Sequence, residues 1–213
     1  MIIEFQFDNP LWWASQAFSF VALVFMVWSF QVKNKIILML MLGLGTTFLA
    51  GSAAFLGNYT LAVLFGLAAI RNYVFSYLDW RVSKEIHVPR GLYYFFAGVF
   101  TVATIASTIV LVHIMEVATY GAWLEWLICV TLIGLIIGNV LKGTNLMRLS
   151  FVGNRAFNII NHVYFNNAIA VIIATLAIIS NAVYYIRMLI EWKKKRREKT
   201  EEERITAMAT DQN

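Results

Sequence analysis

An all-α membrane protein is predicted, with seven transmembrane helices in two parallel three-helix-bundle repeats joined by a linker helix (3+1+3). Three observations predict it. The 213 residues are 60% hydrophobic and only 14% charged, too little charge to cover the surface of a water-soluble chain of this size. Apolar runs of about 20 residues, the length that spans a bilayer as a helix, recur from one end to the other. Basic residues occur in alternate connections only, the pattern of loops that stay on the cytoplasmic side. The runs are continuous and lack the apolar–polar alternation of an outer-membrane barrel.

The opening stretch, MIIEFQFDNPLWW, contains Glu4 and Asp8 but no Lys or Arg. A cleavable leader needs a basic start, so the first apolar segment is expected to persist in the mature protein. The seven helices are expected over Pro10 to Gln31, Ile36 to Leu56, Tyr59 to Leu78, Gly91 to Met115, Ala122 to Leu141, Leu149 to Phe165 and Ala168 to Ile190. The connections at Gly57-Asn58 and Asn166-Asn167 are so short that their helices must be antiparallel neighbours. Residues 1–190 then form one membrane domain, with 10–78 the first repeat, 91–115 the linker and 122–190 the second repeat. A charged tail follows at 191–213, read as a helical extension that frays.

Orientation follows from charge. Lys33 and Lys35, then Arg81, Lys84 and Arg90, then Lys142 and Arg148, and finally Arg187 with the run Lys193, Lys194, Lys195, Arg196 and Arg197 mark the inner side. The other loops carry Glu116 and nearby Glu125. The N-terminus is expected outside and the C-terminus in the cytoplasm. Trp12, Trp13, Trp123 and Trp126 would form the outer aromatic belt, and Trp28, Trp80 and Trp192 the inner one. Although the net charge is +5, these positions point to the lipid bilayer and not to nucleic acid. The cluster at 193–197 suits anionic lipid headgroups, at about 1 kcal/mol per residue, or serves only as an anchor that fixes topology.

Two copies are suggested by the chain's register with itself. When the chain is laid over itself without a gap so that Lys33 falls on Lys142, Phe48 falls on Phe157, Asn58 on Asn167, Asn72 on Asn181 and Val74 on Val183. Helices one to three and five to seven would run in the same direction, and parallel repeats of this kind can hold a substrate site between them.

The candidate site residues are the polar groups inside apolar spans. Asn72 and Asn181 are expected either to face a central cavity and bind a polar solute, or to tie helix to helix. Arg71 and Arg155 are expected to attract an electron-rich solute, or to reach toward the cytoplasm, with no carboxylate at their depth. On helix six, Asn154, Asn158, Asn161 and His162 share one face, with Arg155 at its edge; such a stripe must face protein or a water-filled cleft. Its counterpart on helix two is small, with Thr46, Leu49, Ser52 and Ala53. His162 either titrates and couples solute to protons or is a hydrogen-bonded member of the stripe. Gly43, Gly45, Gly51 and the Gly134–Gly138 pair are read as close-packing surfaces. The three histidines are too dispersed for a metal set, no cofactor motif is present, and no nucleophile is paired with a base, so catalysis is not expected. The single cysteine, Cys129, excludes an intrachain disulfide.

The segment Lys142-Gly143-Thr144-Asn145-Leu146-Met147-Arg148, with His162, Ala69-Ile70-Arg71 and the Asn181 helix ending in Tyr185-Ile186-Arg187, resembles the YgjV-like bacterial inner-membrane proteins. The resemblance covers most of residues 11–190 and implies the cell inner membrane, with no activity to carry over. More distantly, the 3+1+3 layout is similar to the SWEET sugar transporters and PnuC vitamin-precursor transporters (PQ-loop-type). That likeness implies a cavity lined by Asn72 and Asn181, although Ser29-Phe30-Gln31 and Gly138-Asn139-Val140 lack the proline of the Pro-Gln pair. The expected function is a facilitator or secondary transporter of a small polar solute, with a homo-oligomer left open. The alternative is a non-transporting sensor or partner subunit with a closed polar interior.

Overall fold

A computed structural model describes residues 8–32, 34–115, 122–140 and 144–210, and among them the chain is helical with no strand. Glu4, Lys33, Glu116, Lys142 and Gly143, used above for orientation, register or resemblance, lie outside the described residues. The seven helices among the described residues are α1 (Pro10–Gln31), α2 (Lys35–Phe55), α3 (Tyr59–Ser83), α4 (Arg90–Ile109), α5 (Ala122–Val140), α6 (Thr144–Tyr164) and α7 (Ala168–Thr210). α4 runs on into a π-helical turn, Val110–Ile114.

Asparagine starts several of these helices, because its side-chain oxygen satisfies an orphan N–H of the first turn. Leu11 N–H donates to Asn9 Oδ1 at 3.0 Å, Ile36 N–H to Asn34 Oδ1 at 2.9 Å, and Leu61 N–H to Asn58 Oδ1 at 3.0 Å. Pro10 and Pro89 stand at helix starts, where no N–H is lost. Among the described residues, five helices are long and apolar enough to cross a membrane: α1, α2, α3, α4 with its π turn, and α7 as far as Lys194. In α5 the apolar run is the shorter Ala122–Gly138. α6 is more polar, and its polar side points inward: Ala156, Ile160 and Tyr164 are exposed, while Asn154, Asn158 and Asn161 are buried.

The hairpin between α2 and α3 closes in a Schellman arrangement. Asn58 N–H donates to Ala53 O at 2.9 Å and Gly57 N–H to Ala54 O at 3.0 Å, with Gly57 at φ 73°. The α6–α7 turn repeats these bonds. There Asn167 N–H donates to His162 O at 2.8 Å and Asn166 N–H to Val163 O at 3.2 Å. Asn166 takes the left-handed position at φ 53°, asparagine being the side chain that tolerates it best. Gly57→Val should lower stability by about 1–3 kcal/mol, because a β-branched residue is strained at positive φ. The melting temperature of the purified protein checks this; Gly57→Asn should be close to neutral.

Contacts divide the chain into two units, Met1–Ile178 and Ile179–Asn213. Within the first, α1 packs on α2, α2 on α3, α3 on α4, α4 on α5 and α5 on α6. Glycines allow the close approaches. A Cβ at Gly43 would meet the Tyr73 ring at 2.6 Å, one at Gly51 the Phe18 ring at 2.7 Å, and one at Gly134 the Ser150 hydroxyl at 2.5 Å. The main core gathers Met26, Leu49, Leu61, Phe65, Ile128 and Ile173, among others. A second cluster, with Met39, Phe75, Phe100 and Ile136, lies where α2 begins and α3 ends. That end is clamped by Asp79, whose carboxylate meets Lys35 Nζ at 2.8 Å and accepts from the Tyr93 hydroxyl at 2.8 Å.

In the second unit α7 continues as helix through the basic run to Thr210. Lys193, Lys194, Arg196 and Arg197 are exposed, and the Arg196 guanidinium lies 5.4 Å from the centre of the Trp192 ring.

Candidate functional site: a buried polar column on α6

The inward face of α6 places Asn154, Arg155, Asn158, Asn161 and His162 at 3% exposure or less. Buried amides need partners, and here the pairing is incomplete. Asn154 Nδ2 donates to Thr131 Oγ1 on α5 at 3.2 Å, and Asn158 Nδ2 donates to Asn154 Oδ1 at 2.9 Å. Beyond that short ladder, Asn158 Oδ1, both polar atoms of Asn161 and His162 Nε2 have no hydrogen-bond partner among the described residues.

Arg155 is held by soft, polarisable groups. Its Nη2 donates to the Met26 sulfur on α1 at 3.6 Å, and its guanidinium lies 5.9 Å from the centre of the Phe65 ring on α3. Phe65 also faces His162, with ring centres 6.1 Å apart and planes inclined by 30°. A desolvated cation over an aromatic face gains about 2 kcal/mol, so Phe65 fixes one side of the column and Met26 the other.

Across from Asn161 stands Glu125, in the first turn of α5 and 1% exposed. The Asn161 carboxamide lies beside its carboxyl group without closing a hydrogen bond, and Glu125 Oε2 is also unpartnered among the described residues. Asn161 is six residues from Arg155, about 9 Å along the helix, so a carboxylate and a guanidinium occupy one buried column. The sequence held a signal. Glu125 precedes Ile128, Cys129 and Leu132 by three, four and seven positions, all buried, which puts it on the packed face of α5.

Arg71 and Asn72 form a separate pair on α3. Asn72 Oδ1 accepts from Arg71 Nη2 at 2.9 Å and from Nε at 3.3 Å, while Arg71 Nη1 reaches Leu132 O at 3.5 Å. Arg71 borders a cavity between α3, α4 and α5, walled also by Leu64, Phe100 and Thr104. Its volume is ≈ 10 Å³ for the centre of a water molecule, room for about one water. The Asn72 carboxamide oxygen is thus already engaged, whereas Asn181 is buried and belongs to the second unit.

One polar network escaped the sequence reading. Ser52 Oγ lies 2.7 Å from Ser15 Oγ and 2.8 Å from Ser19 Oγ, and accepts from Asn167 Nδ2 at 2.7 Å. Asn167 Oδ1 in turn accepts from Ser19 at 3.0 Å and from Ala170 N–H at 3.1 Å, capping α7. Gln16 and Trp12 both donate to Asn166 O. Every donor and acceptor named is used, so this network joins helices and leaves nothing for a solute.

A profile of the Imp-YgjV bacterial inner membrane proteins matches residues 13–191, most of the chain. The chain belongs to the Imp-YgjV family. That places it among bacterial inner membrane proteins, in keeping with five membrane-length apolar helices among the described residues. No curated protein and no solved structure matches the chain. In this Imp-YgjV member the matched region contains all of the polar column, from Glu125 on α5 to His162 on α6.

Proposed function

We propose that this protein is a facilitator or secondary transporter of a small polar solute, with the α6 column as the solute-binding wall. The observation that carries the reading is the set of buried, unpartnered polar atoms at Asn158, Asn161 and His162. An amide that serves only to hold helices together has its partners, as Asn167 in the α6–α7 turn does. In this reading Arg155 draws electron-rich groups, the asparagines bind them, and no chemical conversion takes place.

The architecture that goes with it is two like-oriented three-helix units joined by α4, all seven helices crossing, with the N-terminus outside. It is supported by a common offset between corresponding helices: α2 and α6 start at 35 and 144, and α3 and α7 start at 59 and 168. The two Schellman turns correspond bond for bond. The exposed basic run of α7 then faces the cytoplasm, where anionic headgroups are its ligands.

The test is a thermal-shift screen of purified protein against sugars, nucleosides, vitamins and amino acids, followed by uptake of each stabilising solute into proteoliposomes. A ligand of the folded state raises its melting temperature, by about 2.7 kcal/mol of stability at 100 times Kd. Asn158→Leu and Asn161→Leu should abolish both the shift and the uptake while the protein still elutes as a folded species. No shift and no uptake with any of these solutes would reject the proposal.

A second reading, a closed protein that signals or assembles without transporting, is favoured by one observation: Asn72 is engaged by Arg71 and the cavity beside it holds about one water. Cysteines at positions 158 and 162 in a Cys129→Ala background separate the two. Labelling by aqueous maleimide from either side supports a path, and complete protection supports the closed interior.

A further inference from the structure

We propose that Glu125 and Asn161 form a binding site for one small, hard monovalent cation, a proton or Na⁺, at the contact of α5 and α6. The proposal rests on the α6 column being the working part of the protein, but it needs no solute and is tested without one.

The oxygens without a hydrogen-bond partner among the described residues here are Glu125 Oε2, Asn161 Oδ1 and, one turn along α6, Asn158 Oδ1. Asn161 Nδ2 and, beside it on α6, His162 Nε2 are the nitrogens of the same set. A carboxylate buried with one oxygen unpartnered among the described residues is costly in its ionised form unless a positive centre neutralises it. Oxygen donors select hard cations. Ca²⁺ and Mg²⁺ bring two charges and are held by several carboxylates or a shell of retained water, whereas the contact has one carboxylate. One carboxylate is neutralised by one monovalent charge.

The surrounding charges make exchange feasible. From α6, Arg155 and His162 face the column, both buried. From α3, Arg71 lies further along, bonded to Leu132 O and Asn72. The π-helical turn contributes His113, which accepts from Trp126 Nε1 at 3.2 Å. α4 presents Thr104 and Thr108, whose hydroxyls donate to their own helix. α5 itself adds the Cys129 thiol. When the site is empty, the column contains one carboxylate and one guanidinium. When it is filled, Glu125 is neutralised and the charge of the column rises by one. Filling the site therefore raises the affinity of the column for an anionic or electron-rich solute, which is how a cation gradient would drive uptake.

The experiment uses the full chain in detergent, with melting temperature as readout. Wild type and Glu125→Gln are compared in NaCl and in choline chloride at equal ionic strength, from pH 5 to pH 8. If Na⁺ is the ligand, wild type melts about 5 °C higher in NaCl than in choline chloride at pH 8, and Glu125→Gln shows no difference. If the ligand is a proton, Na⁺ has no effect. The wild-type melting temperature then rises relative to Glu125→Gln as pH falls. Identical responses of the two proteins to both variables overturn the proposal. Should Glu125→Gln not fold, Asn161→Ala replaces it. Wild type is then also treated with a hydrophobic carbodiimide and the adduct at Glu125 is read by mass spectrometry. An adduct suppressed by Na⁺ or by high pH supports the site. An adduct insensitive to both, or no adduct together with no Na⁺ response, overturns it. A working cation site with no transported solute would sink the transport reading alone.

Discussion

Asn167→Ala should lower the melting temperature of the purified protein by about 10 °C, the larger of two effects that look alike in sequence. Asn167 caps α7 through Ala170 N–H, donates to Ser52 and accepts from Ser19. The cap contributes about 1 kcal/mol. Each interhelical hydrogen bond in a membrane protein contributes about 0.6 kcal/mol on average and up to about 1.7. The total is about 2–4 kcal/mol, and a chain of this size shifts by about 2–4 °C per kcal/mol. Asn58, at the corresponding place in the α2–α3 turn, caps α3 through Leu61 N–H. Asn58→Ala should cost the cap alone, about 1 kcal/mol. Equal shifts for the two alanine variants would mean that the serine network contributes nothing.

The second large effect is at Asn72. Removing its carboxamide leaves the buried Arg71 guanidinium with the distant Leu132 carbonyl at 3.5 Å. A hydrogen bond to a charged group contributes about 1.5–3 kcal/mol, so Asn72→Ala should destabilise by about that amount. Asn72→Asp, which keeps the acceptor and adds charge, should not. Arg71→Met combined with Asn72→Ala should cost less than the sum of the two single changes, by about 1–2 kcal/mol of coupling. Additive losses would show that the pair is independent, and the role of Asn72 as a solute ligand would regain its force. Loss of uptake in Asn72→Ala without this control would therefore say little about solute contact.

Helix positions were legible because hydrocarbon demands unbroken apolar stretches: the expected α1 and the observed Pro10–Gln31 coincide, and α2 differs by one residue at each end. The inward polar face of α6 was legible for the same reason, since four amide and imidazole side chains at helical spacing cannot meet lipid. Glu125 was not. Flanked by Trp123 and Trp126 near a chain turn, it reads as an interfacial residue, and its burial depends on Asn161 from another helix. Ser15, Ser19 and Ser52 read as small packing residues; their hydroxyls gain meaning only when Asn167 arrives. The π-helical turn at Val110–Ile114 leaves no trace in composition, being apolar like the helix before it. Asn72 reads as an interior residue and is one. Its bond to Arg71, the next residue, is hidden from sequence because adjacent side chains on a helix point apart and only a long arginine can fold back.

The bonds from Trp12, Gln16 and Ser19 to residues 166–169 also bear on biogenesis. α1 leaves the ribosome well before α7 and completes these polar contacts only once the α6–α7 turn has emerged. At translation speeds of about 5–20 residues per second, that wait lasts about 10–30 s. Throughout it, Gln16 must be sheltered by the insertion machinery or shed again from the lipid, so α1 is the segment whose integration should depend most on the translocon.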